Sequence, residues 1–304
     1  MSHLSVIGDV FILRLGKTCY GDVMTNNILS IQSSVTLGGV GNTMAAAVMA
    51  ASRHQLCRLD TIQLTAHPGH GIRAGGSISD EDFAAVLDGI TSLNRWPTIS
   101  GMMTGYMGSI GQVRTTASAF AHFRASCPNG AILVDPAVGD HGRLYVDADM
   151  ANAIASSMIS AADIITPNRF ELSYFSGMDC DDLDGVLKAA HHLLNLYPNL
   201  TGIAVTGIAV TGISSVGQIA DCWITSDSHI VHQGAEIVQN EGGMPGGGDL
   251  FAAILMMEKM DGLNWQDSTA IASKLSQEIL ASMDKAKQHD ISLRQVTETL
   301  KARA

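Results

Sequence analysis

The sequence predicts an α/β fold in which a mostly parallel sheet is covered by helices on both faces. Three observations carry that reading. Short apolar runs alternate with helix-spaced segments, hydrophobic residues make up 46% of the 304 residues, and charged residues make up 15%, against roughly 25% in an average soluble domain. A chain of this length buries a sizeable core without a disulfide or metal staple. No Pro/Ser-rich linker or charge block divides it, so residues 1–304 read as one domain.

The elements follow in order. Residues 5–13 look like an extra strand, and residues 1–23 read as an added edge strand or as a mis-assigned start ahead of Met24. Buried strands are expected at 28–32, 61–65, 99–105, 131–136, 164–167 and 203–208, each a short apolar run bounded by turn residues. Between them, 43–52, 80–93, 110–126, 148–160, 169–176 and 182–196 carry Ala, Leu and Met at helical spacing, with Ser or Asp near several starts. Alternation of this kind gives parallel βαβ units, whose ligands sit beyond the carboxyl ends of the strands. After 213 the rhythm changes to a hairpin, 220–226 and 229–233, and a glycine cluster then leads into a helix at 250–260. The pentapeptide Thr-Gly-Ile-Ala-Val stands at 201–205 and again at 206–210. Its period is too short for a solenoid and reads as a slip duplication, which leaves the register of that strand open.

Charge excludes whole classes of partner. A net charge of −11 has the wrong sign for a phosphate backbone or an anionic membrane surface. Two uncharged stretches, 23–52 and 201–220, fail as membrane spans, the first being full of Asn, Gln, Ser and Thr and the second punctuated by Gly and Thr. The cysteines Cys19, Cys57, Cys127, Cys180 and Cys222 are scattered with no C-x-x-C pair, and no Lys/Arg-led signal opens the chain, so a reducing cytoplasm is expected. Phosphate, if handled, must be met by backbone N–H groups or a metal ion.

The P-loop pattern is absent, and Gly38-Gly39-Val40-Gly41-Asn42 does not complete a dinucleotide fingerprint because Met44 stands where its third glycine belongs. Gly242 to Gly248, with Met244 and Pro245 inside, is better placed, since it runs into Asp249 and a strong helix start. Consecutive glycines at a helix N-terminus let bare N–H groups converge where the dipole adds about half a positive charge. Asp249 by itself reads as a first-turn cap or as a functional carboxylate. Asp135 and Asp140 follow one buried strand and Glu171 the next, and three acidic groups on the rim of an anion hole favour Mg²⁺-dependent phosphoryl transfer. His67 and His70 form an H-x-x-H pair, but Pro68 and Gly69 between them suit a tight loop rather than a metal site.

These segments resemble the pyridoxal kinases of the ribokinase superfamily. The likeness runs through Ile28–Ser33 with Val35 and Gly38 to Asn42, through Thr61–Leu64 to His67, through Thr104–Tyr106, and through Val134–Pro136 with Gly139 and Asp140. It continues in Ala162–Asn168 with Phe170–Leu172 and ends in Gly246, Gly248 and Asp249–Ala253, so that it spans about 27–260. The resemblance implies a ribokinase-like three-layer α/β/α sandwich and ATP-dependent phosphorylation of the 5′-hydroxymethyl group of pyridoxal, pyridoxine or pyridoxamine. It implies Asp249 as base, the backbone of Gly246, Gly247 and Gly248 around the transferring phosphoryl group, and Asp135, Asp140, Thr166 and Glu171 around Mg²⁺ and a monovalent cation, K⁺ or Na⁺. ATP would meet Asn168 and a threonine of the repeat, Thr206 or Thr211, and the pyridine would meet Ser33, Val40, His67 and Tyr106. A homodimer is also implied.

Three departures bear on substrate choice: Gly247 stands where the family usually has a side chain, Pro68 replaces a hydroxyl residue, and Ala66 replaces an asparagine. Hydroxymethylpyrimidine kinase, a sugar kinase and a non-catalytic B6-vitamer sensor remain as alternatives; the flat aromatic offered by Tyr106 disfavours the sugar, and the intact acidic set disfavours the sensor. Removal of residues 1–23 is expected to leave a folded, active kinase, because the core pattern starts at Ile28. An insoluble or inactive truncation would show that the extension completes the sheet.

Overall fold

A computed structural model describes residues 26–209, 218–236, 244–285 and 290–303, so the expected strand at 5–13 and all of 1–23 lie outside the described residues. The first half of the chain runs β1 (Asn27–Val35), α1 (Gly41–Met49), β2 (Gln55–Leu64), β3 (Gly75–Ser77), α2 (Asp80–Ser92), β4 (Ile99–Thr104), α3 (Ile110–Ser126), β5 (Ala131–Val134) and the small hairpin β6 (Gly139–Asp140) with β7 (Arg143–Leu144). The second half runs α4 (Ala148–Ala153), β8 (Ile164–Ile165), α5 (Arg169–Ser176), α6 (Leu183–Leu196), β9 (Gly202–Ala209), β10 (Gln218–Ile224), β11 (His229–Glu236), α7 (Gly247–Met260), α8 (Trp265–Lys285) and α9 (Leu293–Lys301).

The main sheet has the order β11-β10-β9-β8-β5-β4-β1-β2-β3. Its middle, β9 through β2, is parallel, and β3, β10 and β11 add antiparallel edges. Side chains alternate between two cores. Leu29, Ile31, Met102, Ile132, Val134, Ile165, Ile203 and Val205 meet α2 to α6, while Ile28, Met103, Leu133, Ile164 and Ala204 meet α1, α7, α8 and α9. Burial on both faces is why these strands read as unbroken apolar runs and why the expected three-layer architecture holds.

Where element bounds differ from expectation, local chemistry explains it. The helix expected over 148–160 is α-helical only to Ala153 and continues through a π-turn at Ile154–Met158, where Ser156, Ser157 and Ser160 hydroxyls bond back to carbonyls four residues earlier. Such back-bonding competes with the helix ladder and bends it. Strand β2 starts six residues before the expected 61, because its first half is a partly exposed stretch holding Arg58 and Asp60 beside β1. Helix α8 escapes an apolar template because its buried face carries Ser268, Thr269, Ser273 and Ser276.

Chain order fixes where ligands can sit. From β1 the chain passes to β2 on one side and, after α2, returns to β4 on the other, so β1 and β4 flank a topological switch point. The crevice beyond their carboxyl ends is the expected binding position.

The repeated pentapeptide is resolved by β9. Its first copy lies in the ladder with Ile203, Ala204 and Val205 opposite Ile224, Trp223 and Cys222, and the register then shifts before Ile208 meets Ala220. The two glycines serve different ends. A β-carbon on Gly202 would stand 2.2 Å from Trp223, whereas Gly207 has open space but a φ of +69°. Gly202→Ala should therefore destabilise the fold by about 1–3 kcal/mol through overpacking. Urea unfolding should show a lower midpoint at unchanged slope; an unshifted midpoint would mean that Trp223 yields without cost.

Candidate active site

Helix α7 opens on backbone rather than on a side-chain cap. Gly246, at φ +92°, is its N-cap and has no side chain to satisfy the first turn. A β-carbon there would stand 2.0 Å from the Gly39 carbonyl, so only glycine lets α7 approach the loop before α1 this closely. Gly247 donates to the Met244 carbonyl at 3.1 Å, while the Gly248 and Asp249 N–H groups have no carbonyl partner within the helix.

Asp249 lies where two helix N-termini meet. It belongs to the first turn of α7, and its carboxylate accepts the N–H of Gly41, the first residue of α1. Burial pushes the Asp249 carboxyl above its usual range, and the Gly41 N–H draws it back. Gly41 is itself locked, with φ +52° and with its α-carbon so near Ser33 that a β-carbon would stand 2.1 Å from the Ser33 carbonyl. Beneath it, Asn42 donates to Gln32 and Leu59 carbonyls and to Asp60, and accepts from Ser30. Ser33, Gly41 and Asp249 thus form one group.

Asp135 follows β5 and is 8% exposed. Its carboxylate faces Gly248, where an added β-carbon would be 3.8 Å from Oδ2. Burial raises this carboxyl well above the normal range, and the charges of Glu171 and Asp249 raise it further, against hydrogen bonding from Ala137 N–H and the Thr166 side chain. Ala137 is one of the non-glycine residues with positive φ, at +45°. Thr166 Oγ1 lies beside Asp135 without completing a hydrogen bond of good geometry. Gln32 Oε1 and Thr104 Oγ1 are also buried without a partner among the described residues, so β1, β4 and the residue just after β8 each present an unsatisfied oxygen.

Glu171 and Asn168 reach the rim in a different manner. They form a capping box at the start of α5: Asn168 Oδ1 accepts the Glu171 N–H at 2.9 Å, and Glu171 Oε2 accepts the Asn168 N–H at 3.0 Å. Glu171 Oε1 takes the Val138 N–H at 2.7 Å, and Asn168 Nδ2 donates to the Gly139 carbonyl at 2.8 Å, so the pair also ties down the loop after Asp135. Burial pushes Glu171 up to about 7 despite these donors. Asp140 stands close enough to add to that shift, while its own Oδ1 accepts the His141 N–H at 2.8 Å. Thr206 joins the same edge, its N–H donating to Pro167 at 3.0 Å and its backbone bridging Asn168. Thr211 lies outside the described residues.

At the opposite end, Val40 packs with Val35, Ile62 and Leu64, and half-buried Tyr106 leans on that cluster. The Thr61 hydroxyl holds the Tyr106 carbonyl at 2.7 Å. His67 is in the turn after β2, where Nδ1 accepts the Gly69 N–H at 3.1 Å, and burial lowers its pKa. His70 instead pairs with Asp290 at 2.9 Å. Spacing identified the glycine cluster and the acidic residues; it gave no sign that Gly41 would hold Asp249 or that Gly39 would seat α7, since both are contacts between distant segments.

Comparison with known proteins bears on this arrangement. The family model described as phosphomethylpyrimidine kinase matches residues 77–293. A pyridoxal kinase of Deinococcus radiodurans is 37% identical over 56% of this chain and 57% of its own length. One of Actinobacillus pleuropneumoniae is 30% identical over 78% of this chain and 82% of its own. The chain belongs to the pyridoxal kinase family. The alignments with the first three curated pyridoxal kinases span 55–60% of those relatives' lengths. Among solved structures, pyridoxal kinase from Leishmania donovani, in complex with ADP and pyridoxine, superposes with a TM-score of 0.80 at 23% identity, covering 90% of this chain and 95% of that one. The fold of this pyridoxal kinase family member is accordingly ribokinase-like.

The two glycines at the start of α7 should respond in opposite ways to substitution. Gly246→Ala forces a β-carbon into the Gly39 carbonyl and should lower turnover by roughly 10²-fold or more, the usual effect of displacing one anion-hole donor. At Gly247 a β-carbon would meet only Leu280, at 3.4 Å, so Gly247→Thr should hold or raise turnover. Steady-state rates of the two variants decide, and an inactive but folded Gly247→Thr would mean that a ligand approaches this α-carbon closely.

Proposed function

We propose that this protein transfers the γ-phosphoryl group of ATP to the 5′-hydroxymethyl group of pyridoxal, pyridoxine or pyridoxamine. The observation that carries the reading is Asp249, a carboxylate in the first turn of α7 that accepts the N–H of Gly41, itself packed on Ser33, at the switch point of the sheet. A primary alcohol is a weak nucleophile whose proton must leave as its oxygen bonds to phosphorus. Asp249 accepts that proton, and the backbone from Gly246 to Asp249, through the Gly248 and Asp249 N–H groups, receives charge building on the phosphoryl oxygens as ADP departs. Val40 and Tyr106 sandwich the pyridine, Ser33 meets its polar edge, and His67 borders its far side. Asn168 and Thr206 line the nucleotide side.

Among the described residues no three His, Cys, Asp or Glu side chains stand grouped as a ready-made metal cage, but the donor types beside Asp135 suit a divalent cation. The charged neighbours of Asp135 are carboxylates, Glu171 and Asp249, and the unsatisfied Thr166 oxygen stands beside them, a hard oxygen set suited to Mg²⁺. Asp135 and Thr166 would hold it with Asp140 and Glu171 around them, together with K⁺ or Na⁺ as monovalent cation. When bound, Mg²⁺ supplies charge neutralisation on the transferring phosphates. The same reading takes residues 1–304 as one domain and places the enzyme in the cytoplasm as a homodimer.

A second reading, hydroxymethylpyrimidine kinase, draws support from the related acceptor, a phosphomethylpyrimidine, named in the description of the matching family model. ATP consumption with pyridoxal, pyridoxine and hydroxymethylpyrimidine in turn separates the two, and absence of consumption with all three overturns both. Asp249→Asn keeps the shape but cannot take the proton, so turnover should fall by roughly 10²–10⁴ while both substrates still bind. Because burial raises this carboxyl, the acid limb of the wild-type rate profile should lie above the ordinary aspartate range. Asp135→Asn should instead shift activity toward higher Mg²⁺, with partial recovery by mass action. Near wild-type turnover in Asp249→Asn would reduce that residue to a helix cap.

A further inference from the structure

We propose that Asp221, on β10, is a positioning residue for the nucleotide, holding the β9 bulge at Thr206 and Gly207 that forms the outer part of the phosphate-side rim. The proposal rests on the kinase reading above.

Asp221 is 5% exposed and accepts three hydrogen bonds. Its Oδ1 takes the Gly207 N–H at 3.2 Å, and its Oδ2 takes the Ser273 hydroxyl at 2.6 Å and Gln277 Nε2 at 2.8 Å. Gln277 Nε2 also lies 3.0 Å from Ser273 Oγ, so the carboxylate is clamped by two consecutive turns of α8. Strand register explains why it is needed. Val205 pairs with Cys222 and Ile208 with Ala220, so Thr206 and Gly207 together stand opposite Asp221 alone. A bulge of this kind leaves a backbone group out of the ladder. The Gly207 N–H is turned onto a side chain instead, with Gly207 at φ +69°.

The bulge is where β9 meets the site. Thr206 donates to Pro167 and bridges Asn168. Its backbone is therefore held from one side by the loop that carries Thr166 and Asn168, and through its neighbour Gly207 from the other side by Asp221. Burial of a carboxylate is costly unless donors surround it, and here three donors come from two elements: Gly207 of β9 and two consecutive turns of α8. A carboxylate can accept from all of them at once, which a neutral amide cannot. The consequence is that the pitch of α8 against the sheet sets the position of the Thr206–Gly207 backbone.

Kinetics of purified full-length variants with ATP and pyridoxal test this. Asp221→Ala should raise KM for ATP by about tenfold and leave KM for pyridoxal within about twofold, a split that general destabilisation does not produce. Asp221→Asn retains an acceptor for the Gly207 N–H and should recover most of the ATP affinity. Leu275→Ala, on the apolar face of α8, should lower Tm and leave both KM values alone. A folded Asp221→Ala with unchanged KM for ATP, or with both KM values raised alike, overturns the proposal and leaves the kinase reading standing. Wild-type protein that neither binds nor consumes ATP overturns both. If Asp221→Ala fails to fold, Gln277→Ala decides: a rise of about threefold in KM for ATP alone supports the proposal, and an unchanged value overturns it.

Discussion

The approach of Gly246 to the Gly39 carbonyl governs the rest of the site. A β-carbon on Gly246 would stand 2.0 Å from that oxygen, so glycine there lets the start of α7 nest against the loop leading into α1. Two helix N-termini then converge, each carrying about half a positive charge. Asp249 sits between them, its carboxylate on the Gly41 N–H. The arrangement is braced from below by Asn42, whose side chain joins β1 to β2 through Ser30, Gln32, Leu59 and Asp60. Loosening any one of these contacts would draw the Asp249 carboxylate away from the Gly41 N–H and from the first turn of α7.

The electrostatics follow from the chain's shortage of positive charge. With a net charge of −11, the protein cannot attract phosphate by a basic field. It instead buries carboxylates beside backbone donors and unsatisfied oxygens, so that Asp135, Glu171 and Asp249 all rise above their ordinary pKa values. A cluster of this kind concentrates negative charge, which a bound cation would offset. Under the proposed kinase reading, nucleotide and metal would bind in a mutually dependent way, because each would offset charge that the other leaves exposed.

Sequence patterning revealed the sheet because its central strands are covered on both faces, and it revealed the rim because acidic residues stand just beyond strand ends. It did not reveal the first half of β2, whose exposed Gln55 and Arg58 hide a strand, or α8, whose inward face mixes Ala272, Leu275, Ile279 and Met283 with the hydroxyls of Ser268, Thr269, Ser273 and Ser276. Within the site, Asn168 and Glu171 were legible as important residues, but their capping box is a matter of geometry. The reciprocal bonds also pin Val138 and Gly139, which places the loop after Asp135. Pairing of Gly41 with Asp249 and of Asp221 with Gly207 joins segments far apart in the chain, and no local pattern encodes such contacts.

The bulge in β9 gives the duplicated pentapeptide a further meaning. Five is an odd number, and in a regular strand the second copy would enter the ladder out of phase with the first. The extra residue at Thr206 and Gly207 restores the phase, so the backbone register continues as though the period were even. Since both copies have the same sequence and each is followed by Thr-Gly-Ile, loss of one copy would still offer the sheet the same strand, the same threonine at the rim and the same glycine opposite Asp221. An in-frame loss of five residues would thus leave the chain up to position 208 unchanged in sequence and shorten only the stretch between there and β10.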